Sequence, residues 1–149
     1  MATKTDIEPV DLLNDLLQTC RDREQGYRTA RDGVKDTALR QLFDSYVQQS
    51  IRFGHELEAE IRQRGEAREP GGTLAGAAFR GWMNIKAALT GGGESAVLGE
   101  CERGEDVAVE HYQRALRHPL PDDLQALLSR QWSEMEQAHS QIRTLRDAH

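Results

Sequence analysis

The chain has few aromatic residues and no long apolar run. Aromatic residues make up 5% of its 149 residues, and β-branched residues are sparse. No apolar segment approaches the roughly 20 residues that a membrane-spanning helix needs. Alanine, leucine, arginine, glutamine and glutamate dominate, and these residues favour helix over strand. The composition therefore predicts a helical protein with one domain over residues 1–149 and a core over about residues 10–146.

Signal-peptide features, disulfide patterns and excess positive charge are also missing. Residues 1–11 are polar and acidic and lack the apolar core of a signal peptide, so we expect a cytoplasmic protein that does not bind membranes. A net charge of -6 argues against a nucleic-acid surface. Two cysteines do not make a disulfide framework, and we expect both to stay thiols in a reducing compartment.

One sequence pattern occurs twice. Residues 16–24 and residues 97–105 each place two aliphatic residues, a cysteine and a glutamate on one helical stripe. A carboxylate that points into an apolar seam is unfavourable unless another group pairs with it. The repeat therefore predicts two related helix pairs, with Glu24 and Glu105 facing each other across the interior. If the two carboxyl groups are close and dry, one of them should keep its proton to a raised pH.

The first two predicted helices form an antiparallel hairpin. The first begins near Pro9 and ends near Gly33, and the second follows Asp36 as N-cap and ends at Gly65. The inward stripe of the first helix is expected to contain Leu13, Leu16, Leu17, Cys20, Glu24, Tyr27 and Arg31. That of the second is expected to contain Leu39, Phe43, Tyr46, Val47, Ser50, Phe53, Gly54, Leu57 and Ile61.

The last two long helices form a second hairpin. The third covers about residues 94–118, and the fourth follows a proline turn at residues 119–121. The third is expected to bury Val97, Leu98, Cys101, Glu105, Ala108, Tyr112, Ala115 and Leu116. The fourth is expected to bury Leu124, Leu127, Leu128, Gln131, Met135, Ala138, His139, Ile142 and Leu145.

A long connection joins the two hairpins and contains its own helix, predicted over residues 73–89. Glycines 91–93 then break the chain. Packing of Trp82 on the bundle is favoured over a partner contact through Arg80, Trp82 and Lys86. Four long helices with one long crossover is the ferritin-like arrangement. The predicted fold class is all-α, a ferritin-like antiparallel four-helix bundle with an extra crossover helix between helices 2 and 3.

A two-metal carboxylate site is the chemical pattern that this fold class suggests. It needs one glutamate from each of two helices and a Glu-x-x-His from each of the other two. Glu24 and Glu105 fit the single-glutamate positions, and Glu136 with His139 forms one Glu-x-x-His. The second helix has Arg52 where the other motif needs its carboxylate. Iron or manganese on these four candidate ligands is an alternative, but we expect no cofactor and predict no stoichiometric two-metal centre.

The same glutamates have a structural interpretation, as members of a buried polar network with Tyr27, Tyr112, Gln131 or water. Buried cysteines usually pack as small apolar groups. If helices 1 and 3 are antiparallel and related by a pseudo-twofold axis, Cys20 and Cys101 lie about 10 Å apart, too far for a disulfide.

Other polar residues suggest no reaction. His111, His118 and His149 are expected at exposed helix or terminal positions. No spacing suggests a catalytic serine or cysteine nucleophile, so catalytic residues stay unassigned.

Three segments together resemble a known family. They are LNDL at 13–16 with residues 20–27, GWMNIK at 81–86, and CERGED at 101–106. The chain is similar over most of its length to an uncharacterised bacterial four-helix-bundle family of unknown function, placed in the ferritin-like superfamily. The resemblance implies a cytoplasmic, stress-associated ferritin-like bundle with no established activity. Ferritin-like relatives with chemistry, such as the rubrerythrins, keep both Glu-x-x-His motifs, and this chain departs from them at Arg52.

Three functional hypotheses follow from the sequence. The first is a non-enzymatic stress-associated bundle that acts through protein contacts or self-association. The second is a di-iron, di-manganese or single-metal oxidoreductase with a degenerate ligand set. The third is a small-molecule binder at the interior between Glu24 and Glu105.

Overall fold

The computed structural model describes residues 8–64, 82 and 84–149, and all of its regular structure is helical. The helices are α1 (Pro9–Gly33), α2 (Thr37–Gln63), α3 (Ile85–Gly91), α4 (Gly93–Leu116) and α5 (Asp122–Ala148). No strand occurs in these described ranges. The all-α prediction is confirmed.

The helix ends follow local chemistry. Pro9 lies in the first turn of α1, where its missing N–H breaks no helical hydrogen bond. The Asp36 side chain caps α2 by accepting a hydrogen bond from the Leu39 backbone N–H at 2.9 Å. Gly93, the first residue of α4, has a φ of 71°, a left-handed conformation that favours glycine, and it follows the break between α3 and α4 at Gly92. The predicted ends at Pro9, Asp36 and the triple glycine are thus confirmed.

Cross-helix contacts give the helix directions. α1 and α2 run antiparallel, since Arg31 pairs with Asp44 near the hairpin while Arg23 reaches Ser50. α4 and α5 are antiparallel as well, because Tyr112 binds Gln131 while the earlier residue Glu102 binds Arg143.

The end of α2 and the start of α4 lie at opposite ends of the bundle. Arg64, the C-cap of α2, lies 3.9 Å from Asp123 at the start of α5. Glu94, in the first turn of α4, lies 3.6 Å from His149 beyond the end of α5. α2 and α4 therefore run in the same direction.

The core consists of two apolar clusters. The lower cluster combines the first half of α1, the second half of α2, the second half of α4 and the first half of α5. The upper cluster combines the other halves with Trp82 and Ile85. Arg23, Ser50 and Glu105, all buried, lie between the two clusters along their helices. A polar layer therefore crosses the middle of the bundle.

Most predicted inward residues are buried, including the whole stripe of α2. The predicted stop at Gly65 and residues 73–81 of the crossover helix lie outside the described residues, as does Arg80. Trp82 is 6% exposed and packs in the upper cluster, so its predicted packing on the bundle is confirmed. No helix in the described ranges is long and apolar enough to cross a bilayer.

Candidate functional site: a buried arginine–glutamate pair

The centre of the bundle holds an ion pair between Arg23 of α1 and Glu105 of α4. Both side chains are 0% exposed. Arg23 Nε donates to Glu105 Oε1, and a second guanidinium nitrogen donates to Oε2 at 3.2 Å. The contact is therefore bidentate, the geometry in which a guanidinium and a carboxylate match best. We call Arg23 and Glu105 the central ion pair.

The remaining hydrogen-bonding capacity of Arg23 is used on α2. One guanidinium nitrogen donates to Ser50 Oγ at 2.8 Å, and another donates to Gln49 Oε1 at 2.7 Å. Ser50 Oγ in turn donates to the backbone carbonyl of Tyr46 at 2.8 Å. The central ion pair thus links α1, α2 and α4. A buried charge is tolerated only with such partners, and here they come from α2 and α4.

Two tyrosine rings complete the surroundings of the guanidinium. Arg23 Cζ lies 5.2 Å from the Tyr27 ring centroid and 5.6 Å from that of Tyr46. Burial alone would lower the pKa of Arg23, but Glu105 more than offsets this and raises it. Burial, with the nearby Glu105 charge, raises the pKa of Tyr27 well above its ordinary value and that of Tyr46 to about 12. At neutral pH the arginine is charged and both tyrosines are neutral.

Trp82 closes this region between α1 and α4. A Cβ added at Gly26 would lie 2.2 Å from Trp82 Cε3, and one added at Gly104 would lie 2.3 Å from Trp82 Cε2. The indole therefore lies against two bare glycine backbones. Its ring meets Tyr27 edge-on at a centroid distance of 4.9 Å. Residues of all three segments that carry the family resemblance thus meet beside the central ion pair.

A separate polar chain runs through the lower cluster. Tyr112 donates to Gln131 Oε1 at 2.7 Å, so its oxygen accepts from the Cys20 thiol, 3.3 Å away. Gln131 Nε2 then donates to Glu56 at 3.0 Å, and Glu56 pairs with Arg130 at the surface. Tyr112 and Gln131, two of the partners predicted for the buried glutamates, thus form a polar chain that contains neither Glu24 nor Glu105.

The predicted partner of Glu105 is wrong. Glu24 is 28% exposed on the outer side of α1 and pairs with Arg28 one turn later at 2.8 Å. The stripe of α1 continues from Cys20 to Arg23, Tyr27 and Ala30, with a step of three residues after the cysteine instead of four. Burying Arg23 gives Glu105 an opposite charge, whereas burying Glu24 would have given it a like charge.

The network predicted for these glutamates is wrong in two members. Glu105 binds Arg23 instead of Tyr112 or Gln131, and Glu24 lies outside the core. The buried hydroxyl of Tyr27 has no hydrogen-bond partner among the described residues.

The other sequence candidates lie apart from the centre. Arg52 is half exposed and pairs with Glu134 on α5 at 2.7 Å, so it does not turn inward. Glu136 is half buried, whereas His139 is 8% exposed and contacts Asp106 of α4. His139 was therefore correctly predicted to face inward, but its neighbours on α4 are not the predicted ones.

Sequence reasoning missed a cluster between α4 and α5, which we call the seam cluster. It consists of Glu102, Asp106 and His139, whose ligand atoms all lie within 4.8 Å of one another. Two acidic residues four positions apart share one face of a helix, and this spacing was a signal in the CERGED segment. This spacing alone could not reveal the cluster, because His139 comes next to Glu102 and Asp106 only when α4 packs against α5.

His111 is buried, and the prediction that it is exposed is wrong. It is 2% exposed, and its Nδ1 lies 2.9 Å from Thr19 Oγ1 on α1. Thr19 already donates to the Asp15 carbonyl at 3.0 Å, so the imidazole N–H donates to Thr19. Burial and the nearby Arg114 lower the pKa of His111, so the neutral imidazole is favoured. Because histidine is polar, sequence reasoning placed His111 at the surface. Its contact with Thr19 arises only when α1 packs against α4.

Both cysteines are buried free thiols, as predicted. Burial raises the pKa of Cys20 to about 11 and that of Cys101 well above its ordinary value. A thiol needs its thiolate form to act as a nucleophile or metal ligand. Neither cysteine therefore has the environment of a reactive thiol.

A family model matches the chain over most of its length. Residues 8–118 match the family described as Domain of unknown function (DUF2383). The chain belongs to this family. The matched residues of this DUF2383 domain include both members of the central ion pair and Trp82. The predicted membership of a family of unknown function is thus confirmed. None of the curated proteins compared with the chain matches it.

Proposed function

We propose that this protein is a non-enzymatic, stress-associated bundle of the ferritin-like type that acts through contacts of its outer surface, with a protein partner or a second copy. The observation that carries the proposal is the bidentate, fully buried contact between Arg23 and Glu105. In a metal-bearing bundle, the carboxylates of this interior would bind cations. Here the guanidinium supplies the positive charge.

The positive charge that Arg23 places beside Glu105 is permanent. Its guanidinium stays protonated in proteins, and here it also binds Ser50 and Gln49. A metal ion at Glu105 would have to approach this fixed positive charge in a medium of low dielectric constant. The arrangement therefore disfavours the di-iron and di-manganese hypothesis. The small-molecule hypothesis loses its basis as well, because Glu24 lies outside the interior.

Several other buried polar groups support a non-catalytic interior. The Cys20 thiol donates to Tyr112, and the Thr19 hydroxyl binds the Asp15 carbonyl and His111. General acid–base or nucleophilic chemistry needs a titratable group that substrate can reach. Groups that are saturated and closed off in this way serve structure, which leaves the surface for function.

The helix directions support the ferritin-like assignment. α2 and α4 run in the same direction, and the two hairpins are each antiparallel. A ferritin-like bundle has one long crossover at this point in the chain order, whereas an up-down bundle has only short turns.

The first experiment tests the interior. Protein from cells grown with added iron and manganese is analysed for metal, as wild type and as Glu105→Gln. We expect no pair of iron or manganese ions per chain in either protein, and no dioxygen consumption with ferrous iron above that of Glu105→Gln. Two ions per chain in the wild type, lost together in Glu105→Gln, would overturn the proposal in favour of the oxidoreductase.

The second experiment asks whether function resides on the surface. A buried ion pair can often be replaced by apolar residues with little loss of stability, so the double variant Arg23→Met/Glu105→Met should fold. In a strain without the native gene, we expect this variant to restore stress survival as well as the wild type does. Sedimentation velocity should give the same oligomeric state for both proteins. A folded double variant that fails to restore survival would place the function in the interior.

A further inference from the structure

We propose that Glu102, Asp106 and His139 bind one divalent transition-metal ion, of the class of Zn²⁺, across the seam between α4 and α5. Glu102 and Asp106 lie four residues apart on one face of α4. His139 reaches them from the antiparallel helix α5, with Nε2 at 4.0 Å from Glu102 Oε2 and in contact with Asp106 Oδ1. This site is independent of the central ion pair and goes beyond the proposed function.

The spacing of the three ligand atoms fits a small cation. All three lie within 4.8 Å of one another. Ligand bonds of about 2.1 Å in tetrahedral geometry require atoms about 3.4 Å apart. The difference is small enough for side-chain rotation alone, because Asp106 is 58% exposed and can move. The two helix backbones need not shift.

Two of the three proposed ligands are buried, and the third is exposed. The side chains of Glu102 and His139 are only 9% and 10% exposed, so the surrounding residues restrict their conformations. Asp106 faces solvent and leaves a path for the ion and for a water in the fourth position. Three protein ligands with one open position is a common coordination for zinc.

Positive charge already converges on this point. Arg143 Nε donates to Glu102 Oε2 at 3.1 Å, and Arg146 contacts Oε1. These two guanidinium groups are 53% and 41% exposed, so water can solvate them when they leave. Ion pairs made by such exposed guanidinium groups are weak. A metal ion can therefore displace them, which is not so for the fully buried Arg23.

The donor set indicates the class of ion. One imidazole nitrogen and two carboxylate oxygens suit zinc and its neighbours in the first transition row, whereas Mg²⁺ and Ca²⁺ prefer oxygen ligands alone. Because the ligands come from two helices, the bound ion would link α4 to α5.

The test is a titration of the chelator-treated, untagged full chain with ZnCl₂, followed by calorimetry and by the imidazole NMR signals. We expect one Zn²⁺ per chain, a shift of the His139 signals and a higher unfolding temperature, since a ligand of the folded state stabilises it. MgCl₂ should give none of these effects. Asp106→Asn should weaken Zn²⁺ binding by about tenfold or more, as loss of a ligand must exceed the effect of a neighbouring group.

The matched control is Glu110→Gln. Glu110 is an exposed acidic residue one turn after Asp106 and pairs with Arg114, so this variant removes one carboxylate from the same helix outside the cluster. It should bind Zn²⁺ like the wild type. His139→Gln should lose binding like Asp106→Asn. Unchanged affinity in both Asp106→Asn and His139→Gln, or no binding by the wild type, would overturn the proposal.

Discussion

Two glutamates three residues apart on α4 have very different surroundings. Glu105 binds an arginine that is 0% exposed, whereas Glu102 binds two arginines that are 53% and 41% exposed. Solvation of the departing arginine decides whether each ion pair can exchange its cation. The central ion pair therefore acts as a fixed part of the core, and the seam cluster can exchange its cations.

The largest expected effect is the loss of one member of the central ion pair. Arg23→Met leaves the Glu105 carboxylate buried without its partner, and we expect the free energy of unfolding to fall by about 3–5 kcal/mol. Glu102→Gln removes contacts to solvated arginines and should lower it by about 1 kcal/mol or less. Urea denaturation followed by circular dichroism measures both. Equal losses in the two variants would show that the two regions do not differ as described.

The next effect concerns the closure of the centre by Trp82. Gly104→Ala would place a Cβ 2.3 Å from Trp82 Cε2, so the indole must move, and we expect a loss of about 1–3 kcal/mol. The chain has two tryptophans, so Trp132→Phe as the common background leaves the emission of Trp82 as the reporter. A red shift in Gly104→Ala would indicate that Trp82 has become exposed.

Gly54→Ala is the matched control for this prediction. Its Cβ would lie 3.6 Å from Leu17 Cδ1, an ordinary contact, and alanine favours helix over glycine by about 1 kcal/mol. This variant should be as stable as the background or more so, with unchanged Trp82 emission. If Gly104→Ala behaves in the same way, the tight packing of Trp82 on the glycine is wrong.

A smaller difference in stability is expected between variants of two buried tyrosines. The Tyr112 hydroxyl links Cys20 to Gln131, and Tyr112→Phe should lower the free energy of unfolding by about 1–2 kcal/mol. The Tyr27 hydroxyl is buried with no partner in the described structure, so Tyr27→Phe should be neutral or slightly stabilising. Thermal and urea unfolding of the two variants test this. A larger loss for Tyr27→Phe would indicate that the central ion pair needs that hydroxyl.

The smallest effect depends on pH and involves Asp15 on α1. Burial, followed by the neighbouring Asp11, raises the pKa of Asp15 from its usual 3.8 to about 6. Between about pH 4 and pH 6 the unfolded chain has released a proton that the folded chain keeps, so stability falls as pH rises. Asp15→Asn should reduce this fall, measured as urea midpoints at pH 4 and pH 7. An identical pH profile in the variant would contradict the raised pKa.

The helix ends were predictable because local groups determine them. Pro9 in a first turn, Asp36 as a capping acceptor and Gly93 at a positive φ each act within a few residues. The inward stripe of α2 could be predicted equally well, since its apolar residues repeat at helical spacing and no second set of residues continues the same stripe. These features need no knowledge of the tertiary arrangement.

The candidate site was predictable only in part, because the sequence leaves open which residues of α1 face inward after Cys20. After Cys20, both Arg23 and Glu24 continue a helical stripe, at steps of three and four residues. The opposite helix resolves the choice, since Glu105 is stabilised by a positive charge and destabilised by a second carboxylate. The stripe through Glu24 also required an inward Arg31, which instead pairs with Asp32 and Asp44 near the surface. The sign of the opposing charge was the unused signal.

The polar layer between the two apolar clusters has a consequence for mutation by insertion and deletion. One residue inserted into α1 between Cys20 and Arg23 would rotate the later part of the helix by about 100° relative to the earlier part. Tyr27 and Ala30 would leave the core, and the carboxylate of Glu105 would lose its partner in the same event. Genes for this protein should therefore tolerate many exposed substitutions in α1 and α4 but no change in the length of either helix near its centre.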